Sequence, residues 1–252
     1  MVIMQTLVTD ALRRGDVVHD ALFDRVYPLQ VQRVSRQFWT PVDVAIAASR
    51  WLSEVGCRTT LDVGAGPGKF CIVASLSMQQ TVTGLEHRAD LVEVARSAAA
   101  AYGAQVECVH GSLEAIDVSR FDALYFYNPF AENLFEASER LDQSVELSEQ
   151  RCFRDLMTVE SWLDRAREGT CIVTYHGFGG RIPATYRLAR ATRKGGDHLR
   201  LWVKRQEGRA SGFFLEMDER VVSSEDLHAL AETMQPSEPR ERMLALLARP
   251  LS

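Results

Sequence analysis

From Thr59 onward, short apolar runs alternate with amphipathic stretches, and that alternation predicts βα units stacked into a parallel sheet. The runs place strands near 59–63, 81–85, 105–110, 121–127 and 169–175, with helices at 67–78, 88–102 and 143–168 between them. Ahead of these, Val17, Val18, Ala21, Leu22, Val26 and Leu29 recur at helical spacing. A stronger start signal follows at Thr40-Pro41-Val42-Asp43. Threonine there suits an N-cap, proline loses nothing at the first helical position, and Asp43 favours the positive helix end, so a helix to about Val55 is predicted. Beyond Gly180 the pattern becomes hairpin-like, with Tyr186–Thr192 and His198–Lys204 flanking the turn Lys194-Gly195-Gly196-Asp197. From Ser223 two helices are expected, broken around Pro236-Ser237-Glu238-Pro239. The fold class is α/β, with an N-terminal helical cap over residues 1–56, a core over 57–210 and a helical tail over 211–252 packed on that core.

Composition narrows the functions available. Hydrophobic residues are 46% and charged residues 25% of the 252, ordinary globular usage that argues against disorder and collagen-like repeats. The 29 Lys+Arg and 34 Asp+Glu leave a net charge of −5, with no overall attraction to nucleic acid or an anionic membrane. Five cysteines without a C-x-x-C pair suggest neither a disulfide framework nor a zinc site, so no metal is expected. The start of the chain lacks the basic head and cleavage site of a signal peptide, and no run of about 18 apolar residues occurs, so the expectation is a cytoplasmic protein that does not span a membrane.

The candidate chemistry begins at Leu61-Asp62-Val63-Gly64-Ala65-Gly66-Pro67-Gly68-Lys69-Phe70, a strand entering a glycine turn that opens a helix. Glycines let backbone approach a ligand without a Cβ clash. A dinucleotide-binding turn would need a third glycine at position 69, which is Lys69. The second strand ends at Gly84-Leu85-Glu86, placing a carboxylate 24 residues after Asp62, where a strand-end acid can accept both hydroxyls of a ribose.

On these residues the chain resembles the class I S-adenosylmethionine-dependent methyltransferases, over roughly residues 40 to 206. The resemblance implies a seven-stranded Rossmann-like sheet, mostly parallel, closing in an antiparallel C-terminal hairpin and preceded by N-terminal helices. It implies S-adenosyl-L-methionine as cofactor, with its methionyl part at Asp62, Gly64, Ala65 and Gly66 and its ribose at Glu86 beside His87. The family's third strand usually ends in an acid that reads adenine; here Ser112 and Leu113 stand in that place, and the contact lies open between Ser112, Glu114 and backbone amides.

After the fourth strand comes Asn128-Pro129-Phe130, where N-methylating members carry an Asn/Asp-Pro-Pro-aromatic motif. There the polar side chain accepts from the target nitrogen and the aromatic ring packs on the target. A similar asparagine and aromatic occur in non-SET nucleosomal lysine methyltransferases. The resemblance therefore implies Asn128 and Phe130 as catalytic residues and a nitrogen acceptor on a small molecule or protein. Gln37-Phe38-Trp39-Thr40-Pro41 is similar to the aromatic-Thr-Pro segment that packs on the methionyl end in some amino-methyltransferases, although Phe38 and Trp39 also read as core anchors. His176, ending the fifth strand, is either a general base or a loop residue bonded to backbone; His19, Tyr27 and Tyr127 have weaker claims.

Nine basic residues between Arg181 and Arg209 face only Asp197 and Glu207, a stretch that either docks an acidic substrate or is a solvated edge. Residues 132–168, with ten acids and five bases, suit a basic protein target or a solvated helix. Two other functions compete with methyl transfer. An NAD(P)-dependent Rossmann oxidoreductase is disfavoured by Lys69, and a noncatalytic S-adenosylmethionine-binding module by Asn128. A nucleic-acid acceptor is disfavoured by the net charge.

Overall fold

The computed structural model describes residues 2–208, 210–217 and 220–231. The cap begins with α1 (Val2–Arg13), continues through the short helices α2 (Asp20–Phe23), α3 (Leu29–Arg33) and α4 (Ser35–Phe38), and ends in α5 (Val42–Glu54). The core then runs β1 (Thr59–Val63), α6 (Lys69–Met78), β2 (Thr81–Glu86), α7 (Ala89–Tyr102), β3 (Val106–His110), β4 (Ala123–Tyr127), α8 (Glu149–Arg165) and β5 (Cys171–Tyr175). It closes with β6 (Arg181–Pro183), β7 (Tyr186–Lys194), β8 (Asp197–Lys204), β9 (Phe213–Glu216), β10 (Val221–Ser223) and α9 (Ser224–Ala231).

The seven-stranded sheet has the order β3-β2-β1-β4-β5-β8-β7. Its first five strands are parallel, and β8 pairs antiparallel with both β5 and β7, as expected. Side chains alternate between its faces with a period of two. On β4, Ala123 and Tyr125 join the core cluster beneath the cap, α6 and α7, while Leu124 and Phe126 join the cluster around α8.

A second sheet, ordered β10-β9-β6, was not expected. It corrects the helical tail: residues 213–216 and 221–223 are strands, because Phe213, Phe214 and Leu215 close the α8-side core through pairing with β6. α9 matches the first tail helix; the break at 236–239 and the helix after it lie outside the described residues.

The cap is tied to the core through Lys69, the residue that spoiled the dinucleotide pattern. Its ammonium is 2% exposed and meets Asp20 at 2.5 Å, Asp24 at 2.8 Å and the Ser35 hydroxyl at 3.2 Å. Asp20 also accepts the Val42 amide at 3.0 Å, so the start of α5 is satisfied by the cap. This corrects Thr40: Pro41 is the N-cap, and the Thr40 hydroxyl bonds the buried Tyr125 hydroxyl at 3.1 Å instead.

The basic stretch is not one patch. Arg181, Arg200 and Lys204 are buried, Arg190 pairs with Glu54, and Lys194 meets Asp43 at 2.8 Å. Arg209 lies outside the described residues.

Candidate active site

Strand order reverses between β1 and β4, and open α/β sheets bind ligands outside the carboxyl ends of strands at such a switch point. The residues following these two strands, Gly64 and Asn128, line a crevice of ≈ 380 Å³ together with Trp39, Glu86, His87, Tyr127 and His176. That volume suits a small-molecule ligand.

The glycine turn is held from both sides. The Gly64 and Ala65 amides both donate to Leu85 carbonyl oxygen at 2.9 Å, and the Gly66 amide donates to Glu86 Oε2 at 2.9 Å. Glu86 Oε1 accepts the Arg88 amide at 2.8 Å. Gly64 (φ 76°) and Gly66 (φ 55°) are left-handed, and a Cβ on them would stand 2.8 Å from the Pro129 side chain and 2.6 Å from the Trp39 ring. Trp39 thus covers the turn, its indole N–H held by the Val31 carbonyl at 3.0 Å. Trp39 is a buried anchor that also lines the crevice.

Asp62 is buried beneath the turn, 3.2 Å from the Cys71 thiol that donates to it, and burial pushes its pKa up to about 7. Unfolded, an aspartate titrates near 3.9. The native state therefore holds a proton that the unfolded state releases, and stability must fall as pH rises from about 4 to about 7. Asp62→Asn is expected to flatten that part of the profile relative to the parent, read as urea midpoints across this range. Parallel profiles would show that Asp62 ionises normally. Burial also raises Glu86, whereas it lowers His87 to about 4, leaving that imidazole neutral at pH 7.

A second cavity of ≈ 30 Å³ lies at the β3 side, lined by His87, Gly111, Ser112, Leu113, Phe130 and Asp155 among others. The Ser112 hydroxyl donates to Glu114 at 2.5 Å. Phe130 lines this smaller cavity and is 6% exposed in the α8-side core. Phe130 is not among the residues lining the larger crevice that holds Asn128. Tyr127 and Phe135 supply aromatic rings to the crevice instead. Neither His19, which caps α2, nor Tyr27, buried in the core, reaches it.

Arg88 was missed. Its buried guanidinium meets Glu132 at 2.9 Å and Asp142 at 3.1 Å, fixing the segment between β4 and α8 as one wall of the crevice. Its partners lie 44 and 54 residues downstream, so no local spacing announces them. Among the described residues no cluster of His, Cys, Asp and Glu could hold a metal ion, and no helix is long and apolar enough to cross a membrane.

Residues 60–143 match a family described as a methyltransferase domain. No curated protein matches the chain by sequence. Among solved structures, an O-methyltransferase candidate from Klebsiella pneumoniae is 14% identical with a TM-score of 0.51, covering 80% of this chain and 97% of its own. An RNA methyltransferase from Salinibacter ruber, solved with S-adenosyl-L-homocysteine, is 22% identical with a TM-score of 0.44, covering 64% and 92%. TrmN from Thermus thermophilus is 14% identical with a TM-score of 0.49, covering 73% and 53%. At 14% identity the likeness to the Klebsiella pneumoniae structure is one of fold.

Proposed function

We propose that this chain, which carries a class I S-adenosylmethionine-dependent methyltransferase domain, transfers the cofactor's methyl group to a nitrogen nucleophile on a small molecule or a protein side chain. The observation that carries the nitrogen reading is Asn128. It lines the crevice directly after β4, holds a left-handed backbone (φ 43°), and lies next to Pro129, which packs on the glycine turn. An asparagine oxygen so placed can accept from an acceptor N–H and turn its lone pair toward the methyl group.

When bound, S-adenosylmethionine supplies a methyl on a positive sulfur, so alignment and exclusion of water are what the protein must add. Asp62, Gly64, Ala65 and Gly66 would hold the methionyl end, and Glu86 the ribose. The residues present fit that role: Glu86 is a 5% exposed carboxylate already organised by two backbone amides, at the rim of a crevice of ligand size. His87, Ser112 and Leu113 line the smaller cavity on the β3 side, the side on which the adenine end would lie. Trp39 and Phe135 line the same crevice as Glu86 and would shield the methyl end. Thr40, next to Trp39 in sequence, is held by its hydroxyl contact with Tyr125.

Glu86→Ala is expected to weaken S-adenosylhomocysteine binding by about 1.5–3 kcal/mol, the range of charge-assisted hydrogen bonds, or roughly 10–150-fold in Kd. Calorimetry measures it, with circular dichroism confirming that the variant, which also loses its hold on the Gly66 and Arg88 amides, stays folded. A folded variant with parental affinity would remove Glu86 from the site.

A further inference from the structure

Register brings two loop residues together. Tyr127 of β4 pairs with Tyr175 of β5, so Asn128 and His176 end neighbouring strands side by side, and the Asn128 amide donates to the Gly177 carbonyl at 3.0 Å. Both are left-handed, at φ 43° and 61°, a region that non-glycine residues occupy only where surroundings over-determine it. The surroundings of His176 are specific. Its Nδ1 contacts Asp197 Oδ2, and its ring lies 5.5 Å from Tyr127 and 5.0 Å from Tyr175. Asp197 opens β8 straight after the Gly195-Gly196 turn, which the Tyr175 hydroxyl pins to β5 by donating to the Lys194 carbonyl at 2.9 Å. The carboxylate is 14% exposed, while the His176 side chain is 42% exposed along the crevice that holds Asn128.

We infer that Asp197 is a positioning residue that holds His176 as its Nδ1–H tautomer with Nε2 as the basic atom, and that His176 is the general base for an acceptor arriving with a proton on its attacking atom, an ammonium or a hydroxyl. This rests on the methyl-transfer reading and deepens it. A carboxylate bonded to one imidazole nitrogen fixes the tautomer and leaves basicity on the other. In the step, the acceptor proton passes to Nε2 and the acceptor lone pair forms the bond to the methyl carbon. The carbon–sulfur bond breaks with its electron pair kept by sulfur, and the imidazolium then releases its proton to solvent. An acceptor with a free lone pair and no proton to lose would have no use for this pair.

Among the described residues, the imidazole lies against Tyr127 on β4 and Tyr175 on β5, His198 stands 4.0 Å from Asp197 Oδ1, and Lys194 on the hairpin and Glu216 on β9 are the further charged groups of this end of the sheet. Lys194 is paired with Asp43. Glu216 is buried, 3.2 Å from where a Cβ on Gly177 would stand. Asp197 is the acid in contact with Nδ1.

The test uses the full chain with 15N-labelled histidine, the His176 signals being assigned by their loss in His176→Gln. In the free parent protein, neutral His176 is expected as the Nδ1–H tautomer. Asp197→Asn should shift the tautomer population and lower the His176 titration midpoint by about one pH unit, the scale of a lost neighbouring charge. A purely structural bond would respond to Asp197→Asn as well, so a second readout separates the roles. Sinefungin carries an amine where the reacting methyl would sit; its complex is expected to titrate His176 lower than the S-adenosylhomocysteine complex does. Equal midpoints in the two complexes, an Nε2–H tautomer in the parent, or an unchanged midpoint in Asp197→Asn would each overturn the inference. Failure of both nucleosides to bind, seen separately by calorimetry, would contradict the methyl-transfer reading and with it the role of base, while the free-protein spectra would still decide the Asp197 pairing.

Discussion

Lys69→Met is expected to lower unfolding stability by about 3–5 kcal/mol, the range seen when one partner of a buried ion pair is removed. For a chain of this size that is roughly 6–20 °C in Tm. Lys69 is 2% exposed; Asp20, at 38%, can be rehydrated, but Asp24, at 7%, loses the ammonium 2.8 Å away and stays buried. The double variant Lys69→Met/Asp24→Asn should recover most of the loss, because it removes the stranded charge, and contacting residues are not additive. Urea denaturation of the parent, the two singles and the double measures this. A Lys69→Met single that unfolds within about 1 kcal/mol of the parent would show that the pair does not hold the cap.

Asn128→Gly is expected to slow methyl transfer by on the order of tenfold to a thousandfold, about 1.4–4 kcal/mol of barrier, while S-adenosylhomocysteine affinity stays near the parent's. Glycine is the informative replacement because φ is 43° there. Alanine would add backbone strain, whereas glycine accepts this conformation, and folding stability should remain within about 1 kcal/mol. What disappears is the carboxamide, whose bond to the acceptor improves alignment mainly in the transition state, so kcat should fall more than KM rises. The rates are initial velocities with radiolabelled S-adenosylmethionine on an amine that the parent methylates. Parental turnover in the variant would make Asn128 a strand-ending turn and move the acceptor elsewhere.

The half of the sheet around the switch point was legible because its signals are local. β1, β2 and β4 read as apolar runs, and a glycine turn and a strand-end acid fall directly after the first two. Glu86 and the glycines meet as their spacing suggested, with the acid gripping the Gly66 amide. What stayed hidden depends on contacts between distant segments. β6 and β10 have three residues each, too few for any period to show, and become strands only through β9. Thr40 has the sequence of an N-cap, but a buried Tyr125 hydroxyl 85 residues away takes it. Phe130 has the motif's spacing, yet it is buried with the α8-side core and lines the smaller cavity, a placement no local pattern announces. Asp197 looked like a hairpin-turn residue, and only the antiparallel register of β8 on β5 carries it to His176. The basic stretch could not be resolved from its local charge, because sheet alternation buries Arg200 and Lys204 while acids on the cap take Arg190 and Lys194.

Titration calorimetry of the full chain with S-adenosylhomocysteine and, separately, with NADH decides whether the crevice beside Glu86 and Asn128 is a methyl-donor site. S-adenosylhomocysteine should bind saturably at one site per chain and lose affinity in Glu86→Ala, and NADH should give no binding heat. Saturable NADH binding with none for S-adenosylhomocysteine would contradict the assignment.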